Sequence, residues 1–283
     1  MNDSASGNPP KGNPVAQAIG QRLATKELLH EIGELARDAA AAIMKVYAKP
    51  FDVTHKDDKS PVTEADHAAE AIILKGLKEL TPDIAVIAEE EMAAGREPDT
   101  KAGVFWLVDP LDGTKEFVKK NGEFTVNIAL VANQRPVLGA VLQPAKDLLW
   151  RGLNTGENPY AECLRDGRAA QRIATRPPSQ DGIVVFASRT HGSYHDPELE
   201  GFLERFKIAE RRQAGSSLKF CLVASGEADL YPRFGPTMEW DTAAGQAVLE
   251  AAGGKLTTLD GAPFLYGKSG FRNGNFVAWG WKQ

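Results

Sequence analysis

Cysteine is almost missing from this chain of 283 residues. Cys163 and Cys221 are too few and too isolated for a disulfide framework or a cysteine-based metal cluster, and they read as reduced, buried thiols. No apolar run approaches the ~20 residues that a membrane-spanning helix requires. The first residues lack the apolar centre of a secretion signal. There is no basic excess either: 33 Lys and Arg stand against 38 Asp and Glu, a net charge of −5, which argues against a surface that coats nucleic acid. Such a balance still leaves room for a small, locally basic pocket. Histidine offers no metal spacing. His191 and His195 lie one helical turn apart, but with Gly192, Ser193 and Asp196 between and beside them they read as surface polar residues, as do His30, His55 and His67.

What is present is an ordinary soluble composition, 42% hydrophobic and 25% charged, long enough for a large core. Residues 1–24, rich in Gly, Asn, Pro and Ser, are expected to be a disordered tail. Leu28, Ile32, Leu35, Ala39, Ile43 and Val46 then recur at helical spacing, up to Lys49 and Pro50. A second helix carries Ala65, Ala69, Ile72, Ile73 and Leu77 and stops near Pro82. Short apolar runs at 84–88 and 104–108 suit strands buried on both faces. Residues 124–132 and 137–143 read as paired strands, and the chain after Arg151 reads as loop until a strand at 183–187. Helices and strands then alternate, with helices at 197–206, 217–225 and 241–252 and strands at 230–233 and 276–279. The natural division is an α+β half, 25–180, and an α/β half, 181–283, with a site between them.

The most informative words are acidic. Trp106-Leu107-Val108-Asp109-Pro110-Leu111-Asp112-Gly113-Thr114 carries an apolar strand into a turn bearing two carboxylates. Pro110 restricts that turn, and Gly113 allows close approach of backbone to ligand. Two carboxylates aimed at one point repel each other, and oxygen ligands of this kind suit Mg²⁺. Glu89 follows the strand at 84–88, Asp241 follows Trp240 at a helix start, and Asp66 stands at the start of the second helix. Each alone is an ordinary turn or helix-start residue. Their common placement at strand ends and helix starts is not ordinary.

Glu89-Glu90 after a strand, then Asp109 to Thr114, then Trp240-Asp241 opening a helix that ends in Ala252-Gly253-Gly254, resembles the inositol monophosphatase superfamily from about residue 26 onward. Lys115 within Asp112-Gly113-Thr114-Lys115-Glu116-Phe117, the run from Gly215 to Ala224 and the run from Leu230 to Thr237 resemble its bacterial CysQ-type bisphosphate nucleotidases. The resemblance implies a layered αβαβα sandwich and two or three Mg²⁺ ions. It implies side-chain ligation by Glu89, Asp109, Asp112 and Asp241, with the Leu111 carbonyl completing the first site. Asp66 and Thr114 would hold and deprotonate the attacking water. Gly113 and Thr114 would bind the scissile phosphate through their N–H groups. Lys115, Ser216, Ser217, Lys219 and Arg233, with Glu89, Leu111, Asp112, Gly113, Thr114 and Asp241, would surround the substrate. Arg233 falls where inositol phosphatases carry an acid, which favours a second phosphate over sugar hydroxyls.

The activity so implied is lithium-sensitive hydrolysis of adenosine 3′,5′-bisphosphate to AMP and phosphate, clearing a by-product of sulfate assimilation. The location is cytoplasmic, with peripheral attachment to the inner membrane known for such enzymes though no anchor is encoded here. A homodimer is compatible with the resemblance. Inositol monophosphatase or fructose-1,6-bisphosphatase activity, and a catalytically silent phosphate-binding member, remain as alternatives. Aspartyl-phosphate chemistry of the haloacid dehalogenase type fits less well, because its two acids stand two residues apart, whereas Asp109 and Asp112 stand three apart with Pro110 between.

Overall fold

The computed structural model describes residues 13–55, 61–155, 158–188 and 197–281. His191 and His195 lie outside the described residues, as do the first twelve residues of the expected tail. The rest of that tail is not a tail. Asn13 caps helix α1 (Pro14–Leu23) by accepting from the Val15 and Ala16 N–H groups, and Pro14 supplies a pre-set first turn. The buried face of α1 consists of Ala16 and Gly20, so it gives no large apolar signal. It holds because its backbone sits close: a Cβ on Gly20 would come within 2.3 Å of the Ala132 Cβ.

Helices α2 (Lys26–Tyr47) and α3 (Glu64–Leu80) follow the expected apolar spacing and begin at Thr25 and Thr63 caps. With α1 they cover one face of the larger sheet, whose main strands are β1 (Ala85–Ala88), β2 (Val104–Asp112), β3 (Thr125–Ala132), β4 (Arg135–Gln143), β5 (Leu148–Leu153) and β6 (Tyr160–Arg165), in that order, closed by an edge pair at Gln171–Arg172. Only β1 and β2 run parallel; the remaining neighbours are antiparallel. The hairpin between β3 and β4 is tighter than the four-residue link read from sequence. Asn133 and Gln134, both at positive φ, make the whole turn, and β4 starts at Arg135. The segment after Arg151, read as loop, contains β6, which pairs with β5 along its full length.

Short helices α4 (Glu89–Ala93) and α5 (Thr114–Val118) leave the ends of β1 and β2. The chain then builds a second sheet from β7 (Ile183–Ser188), β8 (Ile208–Ala214), β9 (Leu230–Arg233), β10 (Lys255–Thr258) and β11 (Phe276–Trp279), in the order β8-β7-β9-β11-β10. Helices α7 (Leu218–Ala224) and α8 (Glu239–Ala251) lie between the sheets, and α6 (Pro197–Leu203) packs outside the second one. The result is the expected αβαβα sandwich. Its middle layer is tight: a Cβ on Gly152 would meet the Val248 Cα at 2.5 Å and the Ala247 carbonyl at 2.7 Å, so α8 rests directly on the sheet backbone.

Candidate active site

The carboxyl ends of β1 and β2 and the start of α8 meet over one cavity of 470 Å³. At the end of β2, the pairing slips between Asp109, opposite Asn127, and Asp112, opposite Thr125. The expected turn is therefore a bulged strand end. Pro110 has no N–H for the ladder, so the extra residue is extruded there. Asp109 is buried, and its Oδ1 accepts from the Leu111 N–H at 3.0 Å. Gly113 stands at φ 90° before α5. A side chain at that position would be strained and would press on the Glu123 carbonyl and Ser216 at 3.2 Å.

Asp66 is the third residue of α3 and is almost fully buried. Its Oδ2 accepts from the Thr63 N–H and hydroxyl, each at 2.8 Å, which completes a capping box and fixes the carboxylate. Its Oδ1 lies 3.3 Å from the Thr114 hydroxyl, which lies 3.3 Å from the Leu111 carbonyl as well. Asp241 is the third residue of α8 and accepts from the Met238 N–H at 2.8 Å. Asp112 accepts from the Ser217 N–H at 2.5 Å, which ties the end of β2 to the start of α7.

Glu89, Asp112, Gly113, Thr114 and Lys115 form one wall of the cavity, and Ser216, Ser217, Lys219, Arg233 and Asp241 form another. The first group comes from residues 25–180 and the second from 181–283. Asp66, Asp109 and Leu111 do not reach the wall; they stand behind it, in contact with one another's turn through Thr114 and Leu111. Trp106 and Trp240 are buried and do not line the cavity; the Trp106 indole donates to Thr81.

Charge is the dominant feature. Burial pushes the Asp112 carboxyl up to about 6, although Lys219 and the Ser217 N–H pull the other way. Burial raises Asp241 well above the ordinary carboxylate range, and the charge on Asp112 adds to it. Two half-buried carboxylates, both raised and one of them further raised by the charge of the other, lack positive charge. The donors are oxygen only, with no His or Cys, which fits a hard dication such as Mg²⁺. Among the described residues no three acids already form a closed metal cage. Mg²⁺ commonly needs only one or two carboxylates, waters and a substrate phosphate.

The two basic residues chosen from the sequence differ in environment. Lys219 is buried, and its ammonium donates to the Ala214 carbonyl at 3.1 Å and the Ser216 carbonyl at 2.5 Å. Burial brings its pKa down to about 8. It braces the turn in which Ser216 stands at φ 46° and Ser217 points its N–H at Asp112. The Ser217 hydroxyl is engaged by Thr125 and Asn127, each at 2.8 Å. Arg233 is 7% exposed and donates through one terminal nitrogen to the Pro236 carbonyl at 3.2 Å, while its Nε is buried with no hydrogen-bond partner among the described residues.

Several participants carried no signal in the sequence. Glu70, buried on α3, accepts from the Glu90 N–H at 2.8 Å and so fixes the start of α4 beside Glu89; burial pushes it up to about 7. Glu123 holds the Gly215 N–H at 2.8 Å. Arg272 lines the cavity. These residues arrive by tertiary packing, not by local pattern.

Residues 25–283 match the model of the inositol monophosphatase family. The 3′(2′),5′-bisphosphate nucleotidase CysQ of Escherichia coli O157:H7 is 48% identical over 241 residues, covering 84% of this chain and 94% of that protein. The protein of the same name from Buchnera aphidicola subsp. Acyrthosiphon pisum is 41% identical over 258 residues, covering 89% and 94%. Among solved structures, CysQ from Bacteroides thetaiotaomicron superposes with a TM-score of 0.72 at 35% identity, covering 89% of this chain and 97% of that one.

Proposed function

The chain belongs to the inositol monophosphatase family, and we propose that it is a Mg²⁺-dependent 3′(2′),5′-bisphosphate nucleotidase that converts adenosine 3′,5′-bisphosphate to AMP and phosphate. The observation that carries this reading is Arg233. A buried guanidinium with an unpartnered Nε, on the same cavity as Asp112 and Asp241, is a costly arrangement unless an anion completes it. A metal-neutralised phosphate at the acidic end leaves a second phosphate to meet Arg233. Nucleotidase activity is the activity in the names of the relatives at 41–48% identity.

Glu89, Asp109, Asp112, Asp241 and the Leu111 carbonyl would hold the metal, as two or three Mg²⁺ ions. Bound Mg²⁺ would supply positive charge to the phosphoryl oxygens, to the attacking water and to the departing 3′-oxygen. Thr114 and Asp66 then orient the water. The Thr114 hydroxyl takes a proton from it and passes its own to Asp66 across the 3.3 Å contact. The water oxygen forms the new bond to phosphorus, and the bond from phosphorus to the 3′-oxygen breaks. The electron pair leaves on that oxygen, which takes a proton from solvent water to become the 3′-hydroxyl of AMP, and Asp66 returns its proton to solvent. The N–H groups of Gly113 and Thr114 hold the phosphoryl oxygens at the start of α5. This reading makes the protein a cytoplasmic enzyme; no helix among the described residues is long and apolar enough to cross a membrane.

Arg233→Ala tests the assignment with two substrates. A charge-assisted contact contributes about 1.5–3 kcal/mol, so kcat/KM on adenosine 3′,5′-bisphosphate should fall about tenfold to a hundredfold. On 3′-AMP, which lacks the 5′-phosphate, the fall should be small. Equal losses on both substrates would show that Arg233 supports the metal turn instead, and would remove the reason to prefer a nucleotide bisphosphate.

A further inference from the structure

A second guanidinium stands at the same cavity. Arg272 lines it, is exposed, and its side chain makes no hydrogen bond or ion pair among the described residues. Its backbone is not loose. Met238 pairs with Arg272, and Thr237 with Asn273, in a two-stranded antiparallel ribbon directly before α8. The buried Asn273 amide clamps that ribbon to the helix, donating to the Met238 carbonyl at 2.7 Å and to the Thr237 and Thr242 hydroxyls at 3.1 Å. On the other side of Arg272, Phe271 is held at φ 52° with its ring buried beside Phe105 and Trp240, each 6.4 Å away. Glu239, the first residue of α8, accepts from the Gly267 and Lys268 N–H groups at 2.8 and 2.9 Å. The segment 267–273 is thus fixed at both ends to the helix start that carries Asp241.

A cationic side chain on a fixed backbone, engaging no neighbouring group, is placed to meet something that enters the cavity. Arg233 reaches the same loop from within: its guanidinium donates to the Pro236 carbonyl, two residues before Met238. The two arginines therefore flank one segment, Arg233 buried and Arg272 at the rim. Resting on the nucleotidase reading above, we propose that Arg272 is a specificity-determining residue, the outer of two guanidinium groups that grip the non-scissile phosphate of the substrate. A phosphate dianion can accept from two forks at once, and the outer fork is the one it meets first on entry.

The test is the selectivity ratio, kcat/KM on adenosine 3′,5′-bisphosphate divided by kcat/KM on 3′-AMP, measured with the Mg²⁺-loaded enzyme. Arg272→Ala should lower this ratio about tenfold, chiefly through KM on the bisphosphate, with the melting temperature unchanged. Arg272→Lys, which keeps the charge and loses the fork, should recover part of it. A wild-type preference that survives intact in Arg272→Ala overturns the proposal alone. A proportionate loss on both substrates overturns it too, since Arg272 would then act on the site in general. A wild-type enzyme with no preference for the bisphosphate overturns the nucleotidase reading, and the proposal with it.

Discussion

Removing the metal should make the protein less stable as pH rises from about 4 to about 6, the reverse of ordinary acid denaturation. The cause is Asp112, whose carboxyl is pushed from its ordinary 3.8 up to about 6 by burial. Across that window the folded chain keeps a proton that the unfolded chain has lost, so each pH unit upward costs about 1.4 kcal/mol, and the whole interval on the order of 3 kcal/mol. Asp241, also raised by burial, acts in the same direction. In a chain of this size 3 kcal/mol corresponds to about 5 °C in melting temperature. The assay is thermal unfolding of chelator-treated protein between pH 4 and pH 7, beside Asp112→Asn, which cannot titrate there. The difference between wild type and variant isolates the site from carboxylates elsewhere. Mg²⁺ takes the place of the protons, so its stabilising shift should be larger at pH 7 than at pH 5. A wild-type minus variant difference that stays flat with pH, or a Mg²⁺ shift equal at both values, would refute the argument that this pair is short of positive charge.

Other outcomes follow from the same geometry. Asp109→Asn keeps an oxygen for the Leu111 N–H but loses its charge, so folding should persist while kcat falls by a factor of about a hundred or more at saturating Mg²⁺; near-normal turnover would remove Asp109 from the metal site. LiCl should inhibit and equal KCl should not, because Li⁺ can intrude where Mg²⁺ is weakly held; equal inhibition would reduce the effect to screening. Gly152→Ala drives a methyl group into the α8 backbone and should destabilise by about 1–3 kcal/mol, whereas Gly201→Ala, in open space on α6, should be neutral or slightly stabilising; thermal unfolding separates the two.

Where the sequence was legible, a periodic or chemical reason lay within one segment. Helices α2 and α3 show because their core residues are large and regularly spaced, and the acids at strand ends and helix starts show because Asp109 to Thr114 is locally distinctive. Helix α1 was hidden because Ala16 and Gly20 make a face with no bulk. Strand β6 was hidden by its mixed sequence, Tyr-Ala-Glu-Cys-Leu-Arg, and β8 by Glu210, Arg211 and Arg212 on a sheet edge. The bulge at Pro110 looks like a turn in the sequence because the need for a break is local, whereas the register that makes it a bulge belongs to β3. Lys219 looked like a substrate contact by its charge, and only the fold reveals that its ammonium also holds the Ala214 and Ser216 carbonyls. Arg272 and Glu70 carry no pattern at all; packing alone brings them to the site.

The substrate is decided by phosphate release from adenosine 3′,5′-bisphosphate, inositol 1-phosphate and fructose 1,6-bisphosphate, measured side by side with Mg²⁺ and the unmodified protein. kcat/KM on the nucleotide should exceed that on either sugar phosphate by at least about tenfold, the lower bound for one charge-assisted contact at Arg233. Equal or faster release from inositol 1-phosphate would contradict it.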